Sequence, residues 1–159
     1  MSNRQIPAPG EGKRGEQGYL GYLLRQATTA YRARMEKALA KFDITPPQFS
    51  VLTMIAAYEG VSNADLARLS LLTPQTVSVI VNNLEKSGAI TRRAHAVHGR
   101  IQQLQITASG QEALAQCKSC VKQVEDELNM SLNDGEAAIV KRWLVSIAVN
   151  AESGQFNPQ

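Results

Sequence analysis

Cysteine is almost missing from this chain, aromatic residues are few, and nothing in it is apolar for long. Two cysteines in 159 residues cannot make a disulfide framework, so a reducing cytoplasm is the default setting. No apolar run approaches the roughly 18 residues that a membrane-spanning helix needs, and no membrane role is expected. The opening "MSNRQIPAPGEGKRGEQG" has no apolar core of the kind a secretory signal requires. A nucleophile motif, a paired-carboxylate arrangement, a phosphate-cradling glycine loop and a dinucleotide fingerprint are all absent. The expectation is therefore a non-enzyme with no cofactor and no metal. Aromatics at 5% with Ala, Leu and Val abundant lean toward helices, and the length suits one compact domain.

The net charge of +3 is modest, but its placement is informative. Between Lys86 and Gln111 stand Lys86, Arg92, Arg93 and Arg100 with no acidic residue, a local +4. From Ser119 onward Lys122, Lys141 and Arg142 face Glu125, Asp126, Glu127, Asp134, Glu136 and Glu152, a local −3. One stretch suits a polyanion and the other does not.

Residues 1–18 show no periodicity and read as a loose arm. Leu20, Leu24, Ala27, Tyr31 and Met35 then recur at helical spacing, a long first helix ending near Phe42. Thr45, Pro46 and Gln48 open a second helix through a capping box, with Phe49, Leu52, Ile55 and Ala56 as its apolar stripe. Ser62 caps a short third helix, with Asp65 three residues on. Thr73 and Pro74 open a fourth, which buries Val77, Ile80, Val81 and Leu84 and stops at Gly88. Two short strands follow, at about 89–93 and 101–106, around the tip "AHAVHGR". Thr107 caps a fifth helix with a seam of Leu114, Cys117, Val121, Val124 and Leu128. Asn133 and Glu136 cap a sixth, where Val140, Leu144, Ile147 and Ala151 continue that spacing, and 152–159 form a loose tail.

A short helix, the tight link "LLT", a second helix and a two-stranded hairpin make a helix-turn-helix with a wing, mainly α overall. In this arrangement the second helix enters the major groove and presents polar side chains to base edges. The positions of helix 73–87 not needed for the core are Gln75, Thr76, Ser78, Val79, Asn82 and Asn83, with Thr73 at its start. They are candidate readers of sequence. Arg92, Arg93 and Arg100 are candidate wing contacts to phosphate or to a narrow minor groove of double-stranded DNA. The plainer reading of each feature alone is a solvated helix face and an edge strand guarded by charge.

"LGYLLRQA", "ITPPQFSVLTMI", "SNADLARLSLLTPQTVSVIVNNLEKSGAITRR" and "LQITASGQEAL" together resemble a MarR-family transcriptional regulator over about residues 19–150. The resemblance implies a homodimer on a pseudo-palindromic operator. Residues 19–44 and 108–151 would pair, and 45–107 would form the DNA-binding lobe. It also implies repression relieved by a small aromatic or acidic effector. Arg100 matches the family's wing Asp-x-Arg motif, with His98 in the Asp position. Val79 and Asn83 stand where many members carry a basic residue, which implies fewer phosphate contacts and a shallower salt dependence.

For an effector pocket the candidates are Arg25, Tyr31, Arg34, Phe49 and Met54, a mixture suited to an aromatic carboxylate. Core packing competes for Tyr31, Phe49 and Met54. "HAVH" and "CKSC" imitate zinc-ligand spacing, but Cys117 lies about 15 Å along its helix while the histidines sit at the hairpin tip, which projects the other way. Three rival readings remain: redox sensing through Cys117 and Cys120, a protein-interaction module or architectural DNA-binding protein without a specific operator, and, last, an enzyme.

Overall fold

The computed structural model describes residues 6–94 and 102–152. The wing tip, with His95, His98 and Arg100, and the tail after 152 lie outside the described residues. Six helices and two strands follow one another as α1 Leu20–Leu39, α2 Pro46–Ala57, α3 Asn63–Ser70, α4 Pro74–Lys86, β1 Ile90–Ala94, β2 Gln102–Ile106, α5 Ala108–Asn129 and α6 Asp134–Glu152. The chain divides into two units, Met1–Val121 and Lys122–Gln159.

In the first unit the helix starts follow local chemistry. The Thr45 hydroxyl accepts from the Gln48 amide while the Gln48 side chain accepts from Thr45 N–H, and Pro46 occupies the first turn, where its missing donor costs nothing. Ser62 and Asp65 repeat this reciprocal cap at α3. The Asp65 carboxyl is held below its ordinary value, first by the Ser62 hydroxyl and then by Arg68. Its cap is therefore in place above the usual carboxylate range and is lost only as pH falls through the lowered value. α3 ends at Leu71, whose φ of 56° is a left-handed conformation rarely taken by a branched residue. Amides there return to Ala67 and Arg68 carbonyls and turn the chain straight into α4.

The core gathers Val51, Leu52, Ile55, Val61, Leu66, Val77, Ile80, Val81, Leu84, Ile90, Leu104 and Leu114 from α2 through α5. All four expected core residues of α4 are buried. On α2 the stripe differs slightly: Val51 is buried, Phe49 is half-buried and Ala56 is exposed. On α1 only Met35 and Leu39 are buried, so Leu20, Leu24, Ala27 and Tyr31 do not form a covered stripe within the chain. The arm before α1 is also more ordered than its composition suggests. Gly12–Arg14 form a turn of 3-10 helix. Arg14 binds the Pro7 carbonyl at 2.8 Å, and its backbone carbonyl accepts from Gln26 Nε2 at 3.1 Å. Short-range hydrogen bonding, which leaves no periodic trace, orders this segment.

The wing strands pair antiparallel, with Ile90 opposite Ile106 and Arg92 opposite Leu104. Leu104 N–H also donates to Val61 O, tying β2 to the link before α3. At the base of the wing, α4 closes through Gly88 (φ 78°), which lets Ala89 N–H return to Leu84 O at 2.9 Å. Thr107 Oγ1 then donates to Gly88 O at 2.6 Å and Thr107 N–H to Ala89 O at 3.0 Å, so the start of α5 is stapled to the end of α4.

In the second unit Asn133 and Glu136 cap α6 reciprocally, as the sequence suggests. Val140, Leu144 and Ile147 are at seam spacing but exposed, and Ile139, Trp143, Val145 and Val149 are exposed with them.

The staple explains Gly110. A Cβ there would stand 2.0 Å from the Ala89 carbonyl oxygen, a backbone atom that cannot swing away. Gly110→Ala is expected to cost about 1–3 kcal/mol, as overpacking does. Gly21→Ala, in the first turn of α1 with nothing near its Cβ, should instead be neutral or gain up to about 0.5 kcal/mol, less than at a mid-helix glycine. Urea midpoints of the two variants check this, and equal midpoints would disprove the close junction.

Candidate nucleic-acid interface

α4 offers two opposite faces. At 100° per residue, the buried Val77, Ile80, Val81 and Leu84 occupy one side, while Gln75, Val79, Asn82 and Lys86 line up on the other. All four of the latter are exposed, and Val79 is uncovered to 60% although it is apolar. Lys86 escapes a reading that takes only uncharged residues, although its spacing from Asn82 and Val79 marks it as their neighbour.

The remaining candidate readers are placed differently. Thr73 caps the helix by accepting from Thr76 N–H, and the two hydroxyls lie 2.8 Å apart. Ser78 Oγ is turned back onto the Pro74 carbonyl at 2.9 Å. Asn83 lies on the flank, lining a cavity of about 440 Å³ with Phe42, Gln48, Ser87 and Ser109. The face of α4 directly opposite the buried stripe therefore holds fewer residues than the sequence offers as candidates.

Strand geometry separates the wing arginines. Side chains alternate along β1, and Ile90 is buried, so Arg92 shares its face and looks toward the helices while Arg93 looks to solvent. Arg92 Nε binds Glu85 Oε2 at 2.9 Å, and its terminal nitrogen binds Asn82 Oδ1. Arg92 thus ties the wing to α4, and Glu85 neutralises its charge. In the described part of the wing, Arg93 is the exposed cation.

The five candidate pocket residues fall in different surroundings. Phe49 and Met54 pack against the core of the first unit. Arg25 lines an open groove of about 770 Å³ along α1, with Arg14, Tyr22, Leu23 and Ala30. Tyr31 and Arg34 are not among its lining residues. Cys117 is fully buried, and its thiol is pushed up by burial and then by Cys120, so little nucleophilic thiolate is available there. Cys120 is half-buried.

A two-faced helix after a tight turn, docked beside a basic two-stranded wing, defines a winged helix-turn-helix protein of the DNA-reading class. Comparison with known proteins resolves the class further. A family model described as MarR family matches residues 42–101. The HTH-type transcriptional repressor Rv2887 of Mycobacterium tuberculosis is 30% identical over 125 residues, covering 79% of this chain and 90% of that protein. The structure titled transcriptional repressor CouR bound to a 23-mer DNA duplex superimposes with a TM-score of 0.77 at 26% identity, covering 83% of this chain and 94% of CouR. That of Rv2887 in complex with salicylic acid gives 0.66 at 29% identity, over 83% of this chain and 98% of that one. The chain belongs to the MarR family of winged-helix, DNA-binding transcriptional regulators, and it is not an enzyme.

The placement of Lys86 yields a contrast with Gln75. Lys86→Ala should weaken binding to every duplex alike and lower the slope of log affinity against log salt by about one. Gln75→Ala should instead change the preferred base at one position, seen by comparing affinities across single-base operator variants. If both variants changed only the salt slope, the reading face would be misassigned.

Proposed function

We propose that this protein is a cytoplasmic homodimeric repressor that binds a pseudo-palindromic operator and is released by a small aromatic carboxylate. The observation that carries the proposal is the free face of α4, Gln75, Val79, Asn82 and Lys86, held beside a basic wing. CouR, described as a repressor on a DNA duplex, supports the DNA-bound mode, and Rv2887 with salicylic acid supports the effector class. In this reading 45–107 is the operator-binding lobe. Arg92 acts by holding the wing, while Arg93 and Arg100 meet the backbone.

Dimerisation is supported by apolar surface that the chain leaves bare. Tyr19, Leu20 and Tyr22 at the start of α1 are exposed, and so are the seven apolar residues of α6 already named. Bare apolar faces of this extent mark a protein interface. In this reading 19–44 and 108–151 pair across a two-fold axis, which sets two copies of α4 one helical turn apart.

The effector reading draws on the α1 groove, where apolar walls and Arg25 suit the ring and carboxylate of a salicylate-like molecule. Oxidation as the signal is less well supported, since Cys117 is buried and burial raises its thiol pKa.

Selection from a random duplex pool tests the operator claim. Half-sites about 34–36 Å apart, centre to centre, are expected. No enrichment, even after unfolding and refolding to strip bound ligand, would overturn the reading. Added salicylate should weaken operator affinity by about 5- to 150-fold, the usual range of allosteric coupling. An operator affinity indifferent to salicylate and to related aromatic acids would remove the effector claim.

The dimer claim has its own test. Leu144→Glu puts a charge on the bare seam of α6, between Val140 and Ile147, and should shift sedimentation from dimer to monomer, with loss of operator affinity. A Leu144→Glu protein that remained a dimer would move the interface elsewhere.

A further inference from the structure

Arg92 settles which way the Asn82 amide points. A guanidinium has only donors, so the Asn82 atom that meets it is the carbonyl oxygen. Glu85 holds the same guanidinium through Nε at 2.9 Å, and the Arg92 side chain is only 29% exposed, so the fork is fixed from two sides. The Asn82 oxygen is thereby turned toward β1, and the amide nitrogen is left as the group free to meet a ligand.

This changes what Asn82 can read. Asparagine recognises adenine by accepting from N6 and donating to N7 together. With its oxygen turned toward Arg92 on β1, Asn82 cannot set oxygen and nitrogen side by side against one adenine edge, and its amide nitrogen remains to donate, which suits O4 of thymine or the N7 and O6 of guanine. Val79 decides between these two. It lies three residues before Asn82 on the same face, about 5–6 Å away between Cβ atoms. Its side chain is 60% exposed and serves no core. Thymine carries a methyl group beside O4 in the major groove and guanine carries none there. An N–H donor next to an uncovered isopropyl group matches the thymine edge.

We propose that Val79 and Asn82 read a thymine in each half-site, and that Arg92 is the positioning residue that makes Asn82 read thymine and not adenine. The proposal rests on α4 being the recognition helix. No phosphate contact by Arg92 is needed; its effect on specificity passes through Asn82.

The test is selection from a random duplex pool with the full-length protein and with Arg92→Met, which keeps the apolar stem and removes the donors. Asn82→Ala, by flattening the preference at one position, identifies the base concerned. The wild type is expected to prefer thymine there. In Arg92→Met the freed oxygen should move that preference to adenine, by about 5- to 150-fold in relative affinity for one good bidentate pair, with the other positions unchanged. A uniform loss of affinity with thymine retained would mean that Arg92 only props the wing, and would overturn the proposal.

A second measurement needs no variant. Uracil in place of that thymine removes only the methyl group and should weaken wild-type binding about fourfold, the worth of one buried methyl-sized group. Equal binding to uracil and thymine would remove Val79 from the reading. Should the wild type select no sequence at all, the recognition-helix reading fails and this inference with it. A selected operator whose Asn82 position is not thymine defeats the inference alone.

Discussion

One helix of thirteen residues has to be buried and bare at once, and the rest of the first unit is arranged around that requirement. Val77, Ile80, Val81 and Leu84 give α4 a complete apolar stripe, and α2, α3, β1 and β2 supply the surfaces that cover it. Because the stripe is fully used, the opposite face is set rigidly and needs no contact of its own. The position of Gln75, Val79, Asn82 and Lys86 is therefore a consequence of core packing, which is far stiffer than any surface contact. A core substitution in α4 would move the reading face before it exposed the core.

The wing depends on the same helix from its other end. Gly88 closes α4, Thr107 donates from backbone and side chain to the Gly88 and Ala89 carbonyls, and Gly110 lets α5 come close enough for those bonds. Arg92 adds a second tie, from the middle of β1 to Glu85 and Asn82. The hairpin is thus held to α4 at its base and partway along its length. Part of its positive charge is spent internally, since an arginine that pins a strand to a helix is not free to meet phosphate. This agrees with the small cation content of the reading face, where Lys86 stands alone among uncharged neighbours.

The helices and their starts were legible in the sequence because they obey local rules. Thr45 with Gln48, Ser62 with Asp65, Thr73 with Pro74, and Asn133 with Glu136 each bring their partners within one turn. The core stripe of α4 was legible for the same reason. The roles of Arg92 and Arg93 were not, because adjacent arginines look alike until the strand phase is known. Period-two alternation from Ile90 would have separated them, and it would have pointed Arg92 at the helix that carries Glu85. Lys86 reads in the sequence as one more positive charge, although the 75–79–82 spacing carried one step further places it on the same face. The arm was missed because its order comes from single hydrogen bonds around Arg14. The pocket candidates mix core and groove residues because helical spacing on α1 and α2 cannot say which side of each helix is already taken by the core.

Exposure on α1 and α6 follows from the same division of surfaces. Sequence spacing marks Leu20, Leu24, Val140, Leu144 and Ile147 as members of buried seams, yet none of them is buried in the single chain. Spacing reports that a face is apolar; it does not report whether the cover belongs to the same chain. In the winged region the stripes of α2 and α4 are covered from within the first unit, whereas most apolar positions of α1 and α6 are not buried. That contrast argues that two selective pressures act on one chain: internal packing on 45–107, and packing against another surface on α1 and α6. Where the second surface is another copy of the same helices, the symmetry axis would run through residues whose apolar character the folded monomer alone gives no reason to keep.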